Sequence, residues 1–196
     1  MILNFEAKIK RNDVVFDTEK ELRFTPKKEM EGVLGIENFA YENIGYIRFH
    51  AYNLDLLGFD CNSEVFENAN NKELKDIMKR NSESSMYYQI FEKGFDLVKS
   101  NNCSRDLRTT NYLITLDRIY IDNRYRNKGV GTYIYQNLLK LLHIYFDIEP
   151  TYIVGVVIPT FPEGTDLIHK NLLEKEGFEL FEVHDIVGFY KKVGSI

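Results

Sequence analysis

The chain has 196 residues, of which 44% are hydrophobic and 28% are charged, so it is long enough to bury the core of one ordinary domain. Its formal net charge is −5, with both signs distributed along the whole length, which argues against a dedicated basic face for nucleic acid. Two cysteines are too few for a disulfide framework, and no apolar run reaches the roughly 18 residues that a membrane helix needs. We therefore expect one domain over residues 1–196, located in the cytoplasm, with neither nucleic acid nor membrane as a partner.

The first 55 residues are predicted to form antiparallel strands. Apolar and polar residues alternate from Leu3 to Lys10, which is the pattern of a half-buried strand. Further strands are predicted over residues 15–24 and 45–52, and the short gaps between strands favour hairpins.

Residues 60–110 are more polar, and we interpret them as an insertion carried by the domain. Short helices are predicted over residues 72–80 and 87–98, followed by a loop over 101–110. Glu92-Lys93-Gly94-Phe95 has the composition of a helix C-terminus, with glycine as the cap and a hydrophobic residue after it.

The second half has the pattern of an α/β unit. A β-rich run ends at the turn signal Asp122-Asn123, and an apolar stripe at helical spacing follows it. The next apolar run is hydrophobic on both faces, as in an interior strand, and Gly177 is placed to end a helix. The predicted order is strand, glycine turn, helix, strand, helix, strand and strand; apart from the glycine turn, these elements cover residues 112–121, 130–146, 152–158, 165–176, 178–183 and 186–192.

The glycine turn, Arg126-Asn-Lys-Gly-Val-Gly-Thr132, has the spacing R-x-x-G-x-G. It is not a P-loop, because no lysine follows the second glycine, and it is not a dinucleotide fingerprint, because Ile134 stands where a third small residue is required. Glycines let consecutive N–H groups converge on one point, and the following helix adds the positive end of its dipole. With the cations Arg126 and Lys128, the turn predicts an anion site suited to a pyrophosphate.

At this point the chain resembles the GCN5-related N-acetyltransferases, whose acetyl-CoA site is a strand, then [RQ]-x-x-G-x-[GA], then a helix. The segment LDRIYIDNRYRNKGVGTYIYQNLL is similar to that motif almost position for position, and TYIVGVVIP, DLIHKNLLEKEGF and FELFEVHDIVGFYKKV follow in the family's order. The resemblance covers residues 111–193, covers 1–55 only as strand content, and does not cover 60–110. It implies the family's α/β fold, a mixed central β-sheet flanked by helices, here with a polar helical insertion around residues 60–110.

The resemblance also implies an activity, which is transfer of an acetyl group from acetyl-CoA to a primary amine by direct attack in a ternary complex. Acetyl-CoA would be a cosubstrate, no metal would be needed, and the amine would belong to an unidentified small molecule or protein. The backbone at the end of the predicted strand before the glycine turn would pair with the pantetheine arm, and the glycine turn would hold the pyrophosphate. The implied cofactor-binding residues are Ile119, Tyr120, Ile121, Arg126, Asn127, Lys128, Gly129, Val130, Gly131 and Thr132.

The sequence departs from the family at the groups that transfer protons. Many members carry a tyrosine four residues before the glycine of the Gly-Phe pair, to protonate the departing CoA sulfur, and Leu173 occupies that position here. An asparagine often found seven residues earlier is replaced by Asp166. Tyr152, Tyr190 or water are left as alternative proton sources.

The general base is likewise not given by the family pattern. Some members carry a glutamate on the strand before the glycine turn, where this chain has Thr115. Asp117 lies two residues further and shares a face with that position in a regular strand, so it is the candidate catalytic base, acting directly or through water. The alternative is a surface carboxylate that pairs with Arg118.

The acceptor half of the reaction is open at the level of sequence. The acidic composition favours a cationic acceptor, and Asp60, Glu64 and Glu67 of the insertion are candidate contacts, with a solvated helix face as the alternative. The four histidines show no metal-ligand spacing. A module that binds acyl-CoA but has lost transfer is the competing function, and a longer acyl group and a homodimer also stay open.

Overall fold

The computed structural model describes residues 3–11, 14–17, 28–58, 69–100, 111–157 and 165–193. In these ranges the strands are β1 (Asn4–Arg11), β2 (Val14–Asp17), β3 (Glu29–Glu37), β4 (Asn43–Asn53), β5 (Tyr112–Ile121), β6 (Pro150–Val156), β7 (Glu179–Val183) and β8 (Ile186–Lys192). The α-helices in the same ranges are α1 (Ala69–Asn81), α2 (Ser85–Ser100), α3 (Val130–Phe146) and α4 (Thr165–Lys175).

The eight strands of the described ranges form one mixed sheet, in the order β2-β1-β3-β4-β5-β6-β8-β7. Only the central pair β5 and β6 is parallel, and α3 makes the crossover that a parallel pair requires. The other pairs are antiparallel. The mixed α/β sheet predicted from the sequence is confirmed.

The first half contains a strand that the sequence reading missed. β3 lies between β1 and β4, and two glycines and three glutamates weaken the strand pattern of its sequence. The alternation is nevertheless present, because Gly32, Leu34 and Ile36 are buried. A Cβ atom on Gly32 would lie 2.3 Å from Cζ of Phe49, so glycine lets the ring of Phe49 cover the strand. The predicted strand over 15–24 is β2, which ends at Asp17, and residues 18–24 lie outside the described part.

Helices cover the sheet on both faces, because alternate strand residues enter two different cores. On β5, Ile114 and Leu116 belong to the core beneath α3 and α4, while Leu113 belongs to the core beneath α1 and α2. The helices α1 and α2, which the sequence predicted as part of an insertion, therefore form a layer that covers one face of the sheet. Their buried residues include Leu74, Ile77, Met78, Ile90, Phe91 and Phe95. The predicted loop over 101–110 and the candidate residues Asp60, Glu64 and Glu67 lie outside the described residues.

Gly94 does not end a helix, as its flanking sequence suggested, but lies inside α2. A Cβ atom at this position would be 2.5 Å from Cγ1 of Val154 and 3.0 Å from Cζ of Phe181. Glycine is required here because α2 lies against the sheet at this point.

We predict that Gly94→Ala lowers the free energy of unfolding. Val154 is fully buried and its branched side chain has little freedom, so the overpacking cost of about 1–3 kcal/mol exceeds the gain of up to about 1 kcal/mol in helix propensity. Urea denaturation measures the difference. The control is Gly35→Ala, where the nearest atom to the new Cβ is the Glu6 carbonyl oxygen at 3.5 Å, an ordinary contact. Equal stability of Gly94→Ala and wild type would contradict the packing account.

Candidate functional site

The parallel strands β5 and β6 separate part of the way along their length. Their pairing ends at Leu116 opposite Gly155, although β5 continues to Ile121. Beyond Leu116, β5 is paired with β4 on one edge, and no described strand pairs with its other edge. The sheet therefore has an opening at its centre, bordered by backbone groups of β5.

A β-bulge lies where this opening starts. Arg48 of β4 is opposite Arg118, but Phe49 is opposite Leu116, so Asp117 is the extra residue of β5. A bulge bends its strand and increases the local twist. The bulge at Asp117 thus accounts for the departure of β5 from β6 one residue after their last pair.

Backbone direction decides which β5 residues face the opening. The N–H of Asp122, the first residue after β5, donates to the carbonyl of Ile44 at 2.8 Å. Ile44 is the residue before Gly45 in β4. Because backbone groups alternate between the two edges of a strand, Tyr120 also directs its N–H and C=O toward β4, while Ile119 and Ile121 direct theirs toward the opening. The Ile121 carbonyl accepts a hydrogen bond from Arg126 Nε at 2.9 Å.

The glycine turn presents a row of N–H groups that lack acceptors. No described residue accepts a hydrogen bond from the N–H groups of residues 127–132, and the first bond of α3 runs from Tyr133 N to Gly129 O at 2.9 Å. Asn127 and Gly129 adopt left-handed backbone conformations, with φ of 57° and 82°. A Cβ atom on Gly129 would meet nothing within 4 Å, so the space in front of these groups is open. The turn has the geometry of an anion cradle at a helix N-terminus.

Cationic side chains surround this cradle. The Arg124 side chain hydrogen-bonds to Asp122 and holds the pKa of that carboxyl below its usual value. Lys128 Nζ lies 5.3 Å from the centre of the Tyr125 ring. Arg126 extends from the turn to the β5 edge, so the cradle and the opening are joined by one side chain.

A cavity of about 250 Å³ occupies the opening on the α3 and α4 side. Its wall includes Arg118, Ile119, Tyr120 and Arg126, together with two residues that the sequence reading did not select. These two are Tyr135 of α3 and His169 of α4, whose Oη and Nε2 atoms lie 2.6 Å apart. Burial raises the pKa of the Tyr135 hydroxyl well above its ordinary value.

The other candidate proton donors lie away from this cavity. Leu173 has no exposed surface and packs in the core beneath α3 and α4. Tyr152 and Tyr190 belong to the core beneath α1 and α2, and the Tyr190 hydroxyl donates to the Glu179 carboxylate. The side chain of Asp166 lies outside the described residues.

Asp117 lies on the α1 and α2 side of the opening, where it is 3% exposed. Its Oδ2 atom is 2.9 Å from His50 Nδ1 and 3.8 Å from Arg48 Nε. It is therefore not a surface carboxylate paired with Arg118, which contacts Glu83 at 3.3 Å. His50 is directly opposite Thr115, so the three side chains share one face of the sheet.

The His50 ring has two different environments. Its Nδ1 atom is fully buried, whereas the side chain as a whole is 12% exposed. Glu83, in the connection between α1 and α2, pairs with Arg48 as well as Arg118. These ion pairs hold that connection over the β4–β5 bulge.

Two further searches of the described residues gave negative findings. No group of three or more His, Cys, Asp or Glu side chains in these ranges is arranged to hold a metal ion. None of the helices in the described part of the chain is long and apolar enough to cross a membrane.

Comparison with known proteins gave matches among solved structures only. No family model matches the sequence, and no curated protein matches it. Arylalkylamine N-acetyltransferase 2 from Aedes aegypti is 10% identical over 83% of this chain and 73% of its own, with a TM-score of 0.46. The polyamine N-acetyltransferase of Drosophila melanogaster, which forms N-acetylagmatine, is 7% identical over 82% and 74%, with a TM-score of 0.44. Arabidopsis thaliana NAA60 in complex with acetyl-CoA is 11% identical over 84% and 76%, with a TM-score of 0.42.

Two of these three structures are named as N-acetyltransferases, and the third is a complex with acetyl-CoA.

We predict that Gly129→Ala lowers the free energy of unfolding by about 1 kcal/mol, because an L side chain is strained at this positive φ. Steric overlap does not contribute, since the new Cβ would be in open space. Gly129→Asn is the matched control and should lose less, because asparagine tolerates the left-handed region better than alanine. Urea denaturation of the three proteins measures both differences, and identical midpoints for glycine and alanine would contradict the assignment.

Proposed function

We propose that this chain is a GCN5-related N-acetyltransferase that transfers the acetyl group of acetyl-CoA to a primary amine by direct attack in a ternary complex. The observation that carries the proposal is the continuity of the open β5 edge with the N–H groups of residues 127–132, which lack acceptors. An elongated ligand with an amide-containing arm and a terminal pyrophosphate fits both features. The acceptor amine belongs to a small molecule or a protein.

The residues present fit acetyl-CoA. The pyrophosphate is held by the backbone of Arg126, Asn127, Lys128, Gly129, Val130, Gly131 and Thr132, where no Cβ atom fills the space before Gly129. The pantetheine arm pairs with Ile119 and Ile121, and Tyr120 contributes its side chain, which is 42% exposed at the cavity. The thioester then lies in the cavity at the opening between β5 and β6.

Asp117 is the proposed base. A free alkylamine, with a pKa near 10.4, is mostly protonated at neutral pH, so a proton must leave the nitrogen before attack. Both carboxylate oxygens of Asp117 are buried, so the proton reaches this group through His50, whose Nδ1 is 2.9 Å from Asp117 Oδ2, or through water. The neutral nitrogen then forms the C–N bond and loses its second proton to water, the C–S bond breaks, and CoA leaves with the shared electron pair on sulfur.

Calorimetric titration of acetyl-CoA and CoA tests the binding half of the proposal. Wild type is expected to bind both, and Gly131→Val to lose at least about tenfold in affinity, because a branched side chain projects at the second residue of α3. Gly131→Ala is the matched control and should bind like wild type, since the family motif accepts alanine and the new Cβ would meet only Ile121 Cδ1, at 3.5 Å.

Failure of correctly folded wild type to bind either compound would overturn the proposed function. Equal affinities of wild type and Gly131→Val would show that the glycine turn does not bind the pyrophosphate.

Release of CoA thiol in the presence of a panel of primary amines tests the transfer half. With an active amine, Asp117→Asn is expected to lower kcat at least about a hundredfold, the lower end of acid–base contributions, while acetyl-CoA affinity stays unchanged. Unchanged kcat in a folded Asp117→Asn protein would rule out Asp117 as the base.

A binding module without transfer is the second candidate, and one observation favours it. Leu173 is fully buried at the position where the family often carries its acid, so it can neither donate a proton nor contact a ligand. The same amine panel separates the two functions. Tight CoA binding without thiol release from any amine would favour the binding module.

A further inference from the structure

We propose that Tyr135 and His169 together form the proton donor to the departing CoA sulfur, a role that Leu173 cannot fill. The inference rests on the proposed function and extends it to a pair of residues outside the family's motif. It starts from the wall of the cavity, where the two side chains are in contact.

The positions of the two residues explain how the pair reaches the cavity. His169 lies four residues before Leu173 on α4, so both project from the same side of the helix, one turn apart. Leu173 is in the core, whereas His169 lies where the core gives way to the cavity. Tyr135 reaches the same point from the second turn of α3. The two helices that border the opening thus each contribute one member of the pair.

Aromatic packing fixes the orientation of the tyrosine. Phe178 and Phe189 meet the Tyr135 ring edge to face, with centroid distances of 6.0 and 6.3 Å. Only 7% of Tyr135 is exposed, and burial keeps the pKa of its hydroxyl high, so the hydroxyl is protonated at neutral pH. The other titratable groups on the cavity wall are Arg118, Tyr120 and Arg126. The Tyr135 hydroxyl is therefore a proton donor in a fixed position, and the direction of its hydrogen bond depends on His169.

His169 decides where the Tyr135 proton points. When the imidazole is neutral and Nε2 carries no proton, the tyrosine hydroxyl donates to Nε2. When the imidazole is protonated, Nε2–H donates to Oη, and the hydroxyl proton is released to another acceptor. The cavity that both residues line offers the thioester sulfur as that acceptor.

The proposed step conserves protons and electrons. As the C–S bond breaks, its electron pair stays on sulfur, the Tyr135 hydroxyl proton moves to that sulfur, and the His169 Nε2 proton moves to Oη. The step leaves CoA as the thiol, Tyr135 unchanged and His169 neutral, and His169 then takes a proton from solvent. The C–N bond has formed on the opposite side of the opening, where Asp117 and His50 receive the amine proton.

The kinetic test uses Tyr135→Phe and His169→Gln with an amine that wild type acetylates. Each is expected to lower kcat about tenfold to a hundredfold, which does not exceed the lower end of the range for a proton donor, since a thiolate leaves readily without help. The KM for acetyl-CoA should stay within about twofold, because the groups act on the sulfur only as it departs. The double variant should be no slower than the slower single one, since the two residues act as a unit.

Two variants serve as matched controls and should keep wild-type kcat. Tyr112→Phe removes a hydroxyl near the start of β5, away from the cavity, where it contacts Asn53 Nδ2 at 3.5 Å. His143→Gln removes an exposed imidazole near the end of α3. Near-UV circular dichroism and thermal melting show whether each variant is folded.

A binding experiment gives a readout that does not depend on turnover. At pH 6.5, near the ordinary pKa of an imidazole, calorimetry in two buffers of different ionisation enthalpy measures the protons released when CoA or a CoA analogue without sulfur binds. A donor aimed at the sulfur favours the thiolate, so wild type should release more protons with CoA than with the analogue. Tyr135→Phe should abolish that difference while binding both compounds.

Wild-type kcat and wild-type proton release in both variants would overturn the inference and leave the proposed function intact. An increase in KM alone would also overturn it, by assigning the pair to pantetheine binding. Failure of wild type to bind CoA would instead overturn the proposed function, and the inference with it.

Discussion

One extra residue in β5 determines the architecture of the candidate site. Asp117 has no partner of its own in β4, and this bulge bends β5 away from β6 one residue after their last pair. A regular strand would continue the pairing and close the sheet, because Val156 still extends β6 beyond Gly155. The bulge also places a carboxylate at 3% exposure, which costs free energy unless charged neighbours compensate for it. The neighbouring side-chain nitrogens are His50 Nδ1 at 2.9 Å and Arg48 Nε at 3.8 Å from Asp117 Oδ2.

The opening has two sides with different chemistry, and each side depends on a different helical layer. Beneath α3 and α4, the cavity is lined by the β5 edge, Arg126, and the Tyr135–His169 pair. Beneath α1 and α2, Asp117 and His50 lie in a charged cluster tied to Glu83. A ligand entering from one side and an amine entering from the other would meet at the bulge. The sheet therefore separates the proposed acid pair from the proposed base.

Sequence periodicity predicted most of the helices and strands in the second half of the chain. It failed where packing against a distant residue requires a glycine, which weakens the local pattern. The run 112–121, the helix over 130–146 and the final strands agree with β5, α3, β7 and β8, because their apolar residues recur at the spacing of the element. β3 was missed because Gly32 fits beneath Phe49, a contact with a residue 17 positions away that no local pattern contains. Gly94 was misread for the same reason, since the contact that selects glycine comes from Val154. The layer formed by α1 and α2 was underestimated because their polar faces dominate the composition.

The sequence by itself determined the conformation of the glycine turn, because R-x-x-G-x-G places residues that adopt positive φ, bare N–H groups and cations within one turn. It also determined that Leu173 cannot donate a proton. Only the tertiary structure decided the partners: His50 lies 67 positions from Asp117, and Tyr135 lies 34 positions from His169, yet the sheet and the helix packing place each pair within hydrogen-bond distance. A bulge likewise has no sequence signature of its own, since it arises from the register between two strands. The conformation of a turn depends on consecutive residues, whereas side-chain pairs such as these form only when distant segments pack.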